Sequence, residues 1–236
     1  MKAPLRPALL LALTTVLASA FAAAPKKAAP KAAPLAPITD VAGLPRVLLI
    51  GDSISIGYTL PTRALLAGKA NVHRPTENCG DTAKGVALLD KWLGPGKWDV
   101  IHFNFGLHDL KYLDAKGQLA APDQGKQVHT PAQYEANLRT IVARLQKTGA
   151  KLLFGTTTPV PPGCQGRIAD DAVKYNAVAA RVMQESGVAI NDLHAFVMPR
   201  MAEVQRPANV HFTDAGSARL AAEVVAKITP LLPAAR

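Results

Sequence analysis

The chain contains only two cysteines, Cys79 and Cys164, among 236 residues. That leaves room for one disulfide or two buried free thiols, not for a larger disulfide framework. Aromatic residues make up 5% of the chain, and no dense Lys/Arg run interleaves with them, so the pattern of a nucleic-acid surface is missing. The formal net charge of +10 does not restore it. Lys2, Arg6, Lys26, Lys27 and Lys31 supply five of the positive charges, and residues 1–37 contain no acid. The remainder has 22 basic against 17 acidic side chains, a mild +5. His73, His102 and His129 lack metal-ligand spacing and read as structural or surface residues, so no metal is expected. There is no internal repeat and no sign of a second folded domain.

The N-terminus reads as an export signal. Lys2 and Arg6 form a basic start, Ala8 to Val16 is apolar, and Ala18-Ser19-Ala20 and Ala20-Phe21-Ala22 offer small-residue cleavage sites. The apolar run is short for a membrane span. A cleaved signal over 1–22 is therefore expected, with a periplasmic or extracellular product and no span left after cleavage. Residues 23–40 begin with an Ala/Pro/Lys-rich stretch without apolar periodicity, a semi-extended linker. The folded domain is expected over 41–236.

Within that domain, strand-like and helix-like segments alternate. Strands are expected at Arg46–Gly51, Val72–Pro75, Trp98–Phe105, Lys151–Thr156 and Val188–Asn191. Helices are expected at Thr59–Lys69, Lys84–Leu93, Thr130–Thr148, Ile168–Ser186 and Asp214–Ile228. Thr130-Pro131-Ala132-Gln133 is a capping box with proline at the first helical position. Residues 110–129 read as a long surface loop. Alternation of this kind implies a parallel sheet of about five strands covered by helices on both faces.

Val47-Leu48-Leu49-Ile50 reads as a buried parallel strand, and Ser53 follows just past its end. Open α/β sheets place their ligands at that edge. A hydroxyl there becomes a nucleophile if a histidine reaches it, and His211 is the candidate. Asn78-Cys79-Gly80 and Asn104 to Asp109 end two further strands at the same edge.

Four segments in order then resemble the blocks of the SGNH/GDSL hydrolases. Gly51-Asp52-Ser53-Ile54-Ser55 is similar to the first, and Asn78-Cys79-Gly80-Asp81-Thr82 to the second. Gly106-Leu107-His108-Asp109 resembles the third, and Val210-His211-Phe212-Thr213-Asp214-Ala215-Gly216 the last. The resemblance spans residues 47 to about 228. It implies a flavodoxin-like α/β/α sandwich of three layers and ester hydrolysis without a metal or organic cofactor. Ser53 would attack an acyl carbonyl, and His211 would carry its proton to the leaving alcohol. The backbone amides of Ser53 and Gly80 would stabilise the oxyanion. The Gly-x-Ser-x-Gly elbow of other hydrolases is absent, since position 55 is serine.

Two positions depart from the family pattern. His108 stands where the third block carries an asparagine donor, and it is expected to take over that role. Ala208 stands where an aspartate three residues before the histidine would orient it. A backbone carbonyl, that of Ala208, is the expected substitute, giving a Ser53–His211 dyad. Asp52 is expected to brace the turn and Asp109 to anchor the His108 loop. Asn104 is either a second donor or a brace. Cys79 lies in the second block and Cys164 in the loop after the fourth strand, both at the active-site edge, so a Cys79–Cys164 disulfide is expected to stiffen the oxyanion loop.

The chain is thus expected to be an exported esterase of small acyl groups, acetyl foremost, with a small-molecule or glycan ester as substrate. No lid-like apolar segment argues for long-chain lipids. The alternative from another class is a non-catalytic binder of acylated glycans or of a protein. Oligomeric state is not legible.

Overall fold

A computed structural model describes Met1 and residues 33–234. The expected signal peptide and the linker as far as residue 32 lie outside the described residues. No helix among those described is long and apolar enough to cross a membrane.

The chain alternates strand and helix: β1 (Arg46–Ile50), α1 (Ser53–Leu65), β2 (Asn71–His73), α2 (Thr82–Leu93) and β3 (Val100–Phe103). After a hairpin of β4 (Tyr112–Leu113) and β5 (Lys126–Gln127) come α3 (Pro131–Gln146), β6 (Lys151–Gly155), α4 (Asp171–Glu185) and β7 (Ala189–Asn191). Short helices α5 (Leu193–Val197) and α6 (Met201–Val204) precede the long α7 (Asp214–Ile228). The main sheet is fully parallel in the order β2-β1-β3-β6-β7. This is the 2-1-3-4-5 order of flavodoxin-like folds. Helices α1 and α7 pack together, while α2, α3 and α4 pack in succession, which makes three layers. β1 and β3 are buried almost throughout, as strands covered on both faces must be.

The main differences from the sequence expectation lie at element starts. α1 begins at Ser53, not Thr59, because Asp52 caps it by accepting the Ile54 N–H at 2.9 Å. Pro61 lies inside this helix, not near its start. The 110–129 segment is not a plain loop, since it carries the β4–β5 hairpin. Residues 36–41 already lie against the domain: Ala36 accepts from Arg63, Asp40 pairs with Arg46 and His73, and Val41 donates to Asn71.

Two glycines are required by close approach. A Cβ on Gly106, whose φ is +146°, would meet Thr157 Oγ1 at 1.8 Å. One on Gly216 would meet the Val204 carbonyl oxygen at 2.1 Å, so glycine alone lets the first turn of α7 sit on α6.

Candidate active site

All the chemistry-bearing segments emerge at the C-terminal edge of the main sheet. As the first residue of α1, Ser53 has no carbonyl one turn behind it to accept its N–H. That amide and the helix dipole both favour negative charge at its position. His211 lies in the turn before α7. It is fixed by the bond from the Arg206 N–H to its own carbonyl at 2.9 Å and by Gln205, whose Nε2 donates to the Val210 and Pro159 carbonyls. Ser53 Oγ and His211 Nε2 are 2.8 Å apart.

The orienting group is neither an acid nor a backbone carbonyl. Asn209 Oδ1 lies 2.8 Å from His211 Nδ1 and accepts the His211 backbone N–H at 2.9 Å. The backbone N–H can only donate, so the atom facing it must be the amide oxygen. Nδ1 meets the same oxygen and must therefore carry the proton. Nε2 is left as the acceptor for the Ser53 hydroxyl, the tautomer that a general base needs. The expectation of a dyad held by the Ala208 carbonyl is corrected to a Ser53–His211–Asn209 chain. Ala208 shapes that chain through its backbone: its φ of +49° is the one positive value at a non-glycine among the described residues.

His211 has its pKa lowered by burial first, with Asp52 opposing and Arg167 and Arg206 adding to the drop. His108 is also held below the ordinary histidine value, chiefly by burial and further by Lys111 and Arg167. The Lys111 ammonium, which can only donate, sits 3.3 Å from His108 Nδ1. Nδ1 is thus the acceptor, and a neutral His108 carries its proton on Nε2, free to donate into the cleft.

The other expected residues divide by role. Asp52 caps α1 and its carbonyl accepts from Ser55 Oγ. Asp109 accepts from the Thr82 N–H and hydroxyl, tying the His108 loop to the start of α2, and burial pushes its carboxyl up to about 7. Asn104 is a brace: its Nδ2 donates to the Gly155 and Thr156 carbonyls at 2.7 and 3.1 Å, which uses the donors an oxyanion would need. The Gly80 N–H donates to Asn78 Oδ1 at 2.9 Å, so the Asn78 side chain must turn away before that amide can meet an acyl oxygen. Arg74, which the sequence reading overlooked, lies buried beneath both loops. Its Nη2 donates to the Gly51 carbonyl at 3.2 Å and the Glu77 carbonyl at 3.4 Å, and its Nη1 to Ser55 and Thr59.

The expected disulfide does not form. Cys79 and Cys164 are both buried free thiols. The Cys79 N–H donates to the Gly51 carbonyl at 3.2 Å, and its fully buried thiol feels the charges of Arg74, Asp52 and Lys84. Cys164 instead lines the cleft next to Gln165 and Arg167. Sharing the sheet edge brought the two loops near, but their side chains enter different surroundings.

Ser53, Asn78, His108, Asn209 and His211 line one cleft of about 470 Å³, together with Lys111 and Arg167. Among the described residues no group of three or more His, Cys, Asp or Glu side chains is placed to hold a metal ion.

Residues 49–219 match the GDSL-like Lipase/Acylhydrolase family. Solved structures with the same fold include the acetyl xylan esterase AlAXEase (TM-score 0.64, 16% identity, covering 78% of this chain and 99% of that one). The lipase/acylhydrolase from Enterococcus faecalis is similar at TM-score 0.64 and 21% identity, over 80% of this chain and 98% of that one. The acetylxylan esterase from Geobacillus stearothermophilus gives TM-score 0.61 and 18% identity, over 78% and 94%. No curated protein matches the sequence.

Proposed function

Because this chain belongs to the GDSL-like lipase/acylhydrolase family and is a carboxylic ester hydrolase, we propose that it is an exported serine esterase releasing small acyl groups, acetyl foremost, from carbohydrate esters. The observation that carries the reading is the line of contacts from Ser53 Oγ to His211 Nε2 and from His211 Nδ1 to Asn209 Oδ1. His211 takes the Ser53 proton as Oγ bonds to the ester carbonyl carbon. The oxyanion is met by the Ser53 N–H, by His108 Nε2–H, and by the Gly80 N–H once Asn78 turns away. Collapse of the tetrahedral intermediate breaks the bond to the alcohol oxygen, which leaves with the proton held on His211. Water then repeats the sequence on the acyl-serine, His211 accepting its proton and returning it to Ser53, and the free acid departs.

The carbohydrate part rests on two supports. The acetyl xylan esterases named above share the fold, and the N-terminal sequence has the pattern of an export signal. The modest, partly polar cleft favours a small acyl group over a long chain.

The test is hydrolysis of p-nitrophenyl acetate and longer esters by the mature protein, beside Ser53→Ala and His211→Ala. Activity that falls with chain length and drops by about a thousandfold or more in both variants is expected. Equal activity in wild type and Ser53→Ala would overturn the reading. A folded wild type with no activity, retaining its biological effect as Ser53→Ala, would favour a binder of acylated glycans.

A further inference from the structure

The cleft beside the nucleophile holds two cationic side chains without a carboxylate partner among the described residues. Arg167 is part-buried and uses its Nε to donate to the Leu107 carbonyl at 3.2 Å, which fixes the guanidinium on the third-block loop. Among the described residues no hydrogen bond or ion pair engages its Nη groups, so the two-pronged end of the fork is available. Lys111 donates one of its three ammonium hydrogens to His108 and forms no ion pair with a described residue. Both residues line the cleft with Ser53 and His211.

Nearby acids attract them at a distance but spend their hydrogen bonds elsewhere. Asp52 is at the cleft floor, but it is 1% exposed and its carboxylate caps α1. Asp81 caps α2 through the Lys84 N–H and meets His129. Asp109 is buried on Thr82. Five of the nine other arginines among the described residues, Arg46, Arg139, Arg144, Arg181 and Arg219, do find a carboxylate. Burial disfavours the charged forms of both Arg167 and Lys111, so leaving them unpaired has a cost that a bound anion would remove.

Resting on the esterase reading above, we infer that Arg167 and Lys111 form a carboxylate-binding subsite and that the substrate is an acyl ester bearing a carboxylate on its acyl or its alcohol half. A planar guanidinium with both Nη groups open suits a planar carboxylate in a two-point contact. The Asp52 carboxylate in the floor limits the negative charge that the cleft accepts, which favours a monoanion over a phosphate dianion.

Two pairs of probes separate the halves of the ester. Mono-4-nitrophenyl succinate against its methyl ester reads an anion on the acyl side. 4-Acetoxybenzoate against methyl 4-acetoxybenzoate reads one on the alcohol side. In one pair, kcat/KM for the anionic member should exceed that of the neutral member by about tenfold or more at low salt, as a charge-assisted contact is worth. The preference should shrink as salt rises. Arg167→Gln should bring the ratio close to one, and Arg167→Lys should retain part of it. Lys111→Gln lowers the rate on all esters by releasing His108, and should also lower the ratio. Binding is read separately with Ser53→Ala by calorimetry on the same four esters. Tighter binding of an anionic member, lost on adding Arg167→Gln, supports the subsite even if wild type hydrolyses none of them. Failure of turnover with intact anion binding thus counts against the esterase reading alone. Equal or weaker binding of both anionic probes, or ratios unmoved by Arg167→Gln, overturns the subsite.

Discussion

Replacing Asn209 separates the two tasks that the third member of a catalytic chain performs. Its Oδ1 holds the Nδ1 proton of His211 and pins the backbone N–H of the same residue, at 2.8 and 2.9 Å. It fixes tautomer and ring orientation, but as a neutral amide it brings no charge to the imidazolium that forms in the transition state. Asn209→Ala removes both acceptors. The site is open to water, so each lost hydrogen bond costs about 1 kcal/mol rather than a full burial penalty. In addition, the tautomer with its proton on Nε2 becomes populated and cannot accept from Ser53. We expect kcat to fall about 10- to 100-fold with KM little changed. Asn209→Asp keeps the acceptor geometry and adds a charge. A carboxylate in direct contact raises a histidine pKa by about 1–3 units. In the native protein burial lowers the His211 pKa, so the base stays unprotonated below its ordinary titration point, and the acidic limb of kcat/KM lies under the free-histidine value. In Asn209→Asp that limb should move up in pH by about 1–3 units, while the rate at alkaline pH equals or exceeds that of wild type. The assay is kcat/KM for p-nitrophenyl acetate from pH 4.5 to 9 for the three proteins. An Asn209→Ala protein within about threefold of wild type, with an unmoved acidic limb in Asn209→Asp, would falsify the orienting role.

Two further outcomes are expected outside the reacting groups. His102 is fully buried with no hydrogen-bond partner on either ring nitrogen among the described residues, and burial pulls its pKa down to about 4. The unfolded chain therefore binds a proton that the folded one refuses. This contribution to stability is full above the free histidine value of about 6.5 and falls away as pH drops toward 4, by up to about 3 kcal/mol. Urea midpoints at pH 7 and pH 4.5 for wild type and His102→Leu measure it, and an equal acid shift in both proteins would refute the assignment. Cys79 is fully buried and its thiol is pushed up to about 11, so it should resist thiol reagents until the protein unfolds. Mass spectrometry of the non-reduced protein after denaturing alkylation should find two modified cysteines, and finding none would restore the disulfide.

How much of this was legible in sequence depended on the range of the interaction. Local signals held well. The Thr130 capping box is present with both of its bonds, and Thr213 caps α7 through the Gly216 N–H. The apolar run before Gly51 is β1, and Asp109 anchors the third block. α1 begins six residues before the expected Thr59, and a proline at position 61, the third residue of the expected helix, is a signal for a helix start there. The Asp52 side chain outweighed that signal by starting the helix at Ser53, and so put the nucleophile on a helix N-terminus.

The sequence by itself determined the alternation of strand and helix, the edge at which the four blocks meet, and the pairing of Ser53 with His211, 158 residues apart. Each rests on periodicity or on short motifs, which act within one turn or one strand. Tertiary structure alone decided what orients His211, since the positive φ of Ala208 brings Asn209, not residue 208, to Nδ1. It also decided that Asn104 spends its amide on β6, that the two thiols stay unpaired in different surroundings, and that Lys111 and Arg167 share a cleft without forming an ion pair among the described residues. All of these depend on side-chain direction at the meeting of loops distant in sequence, and a one-dimensional pattern carries no information about direction.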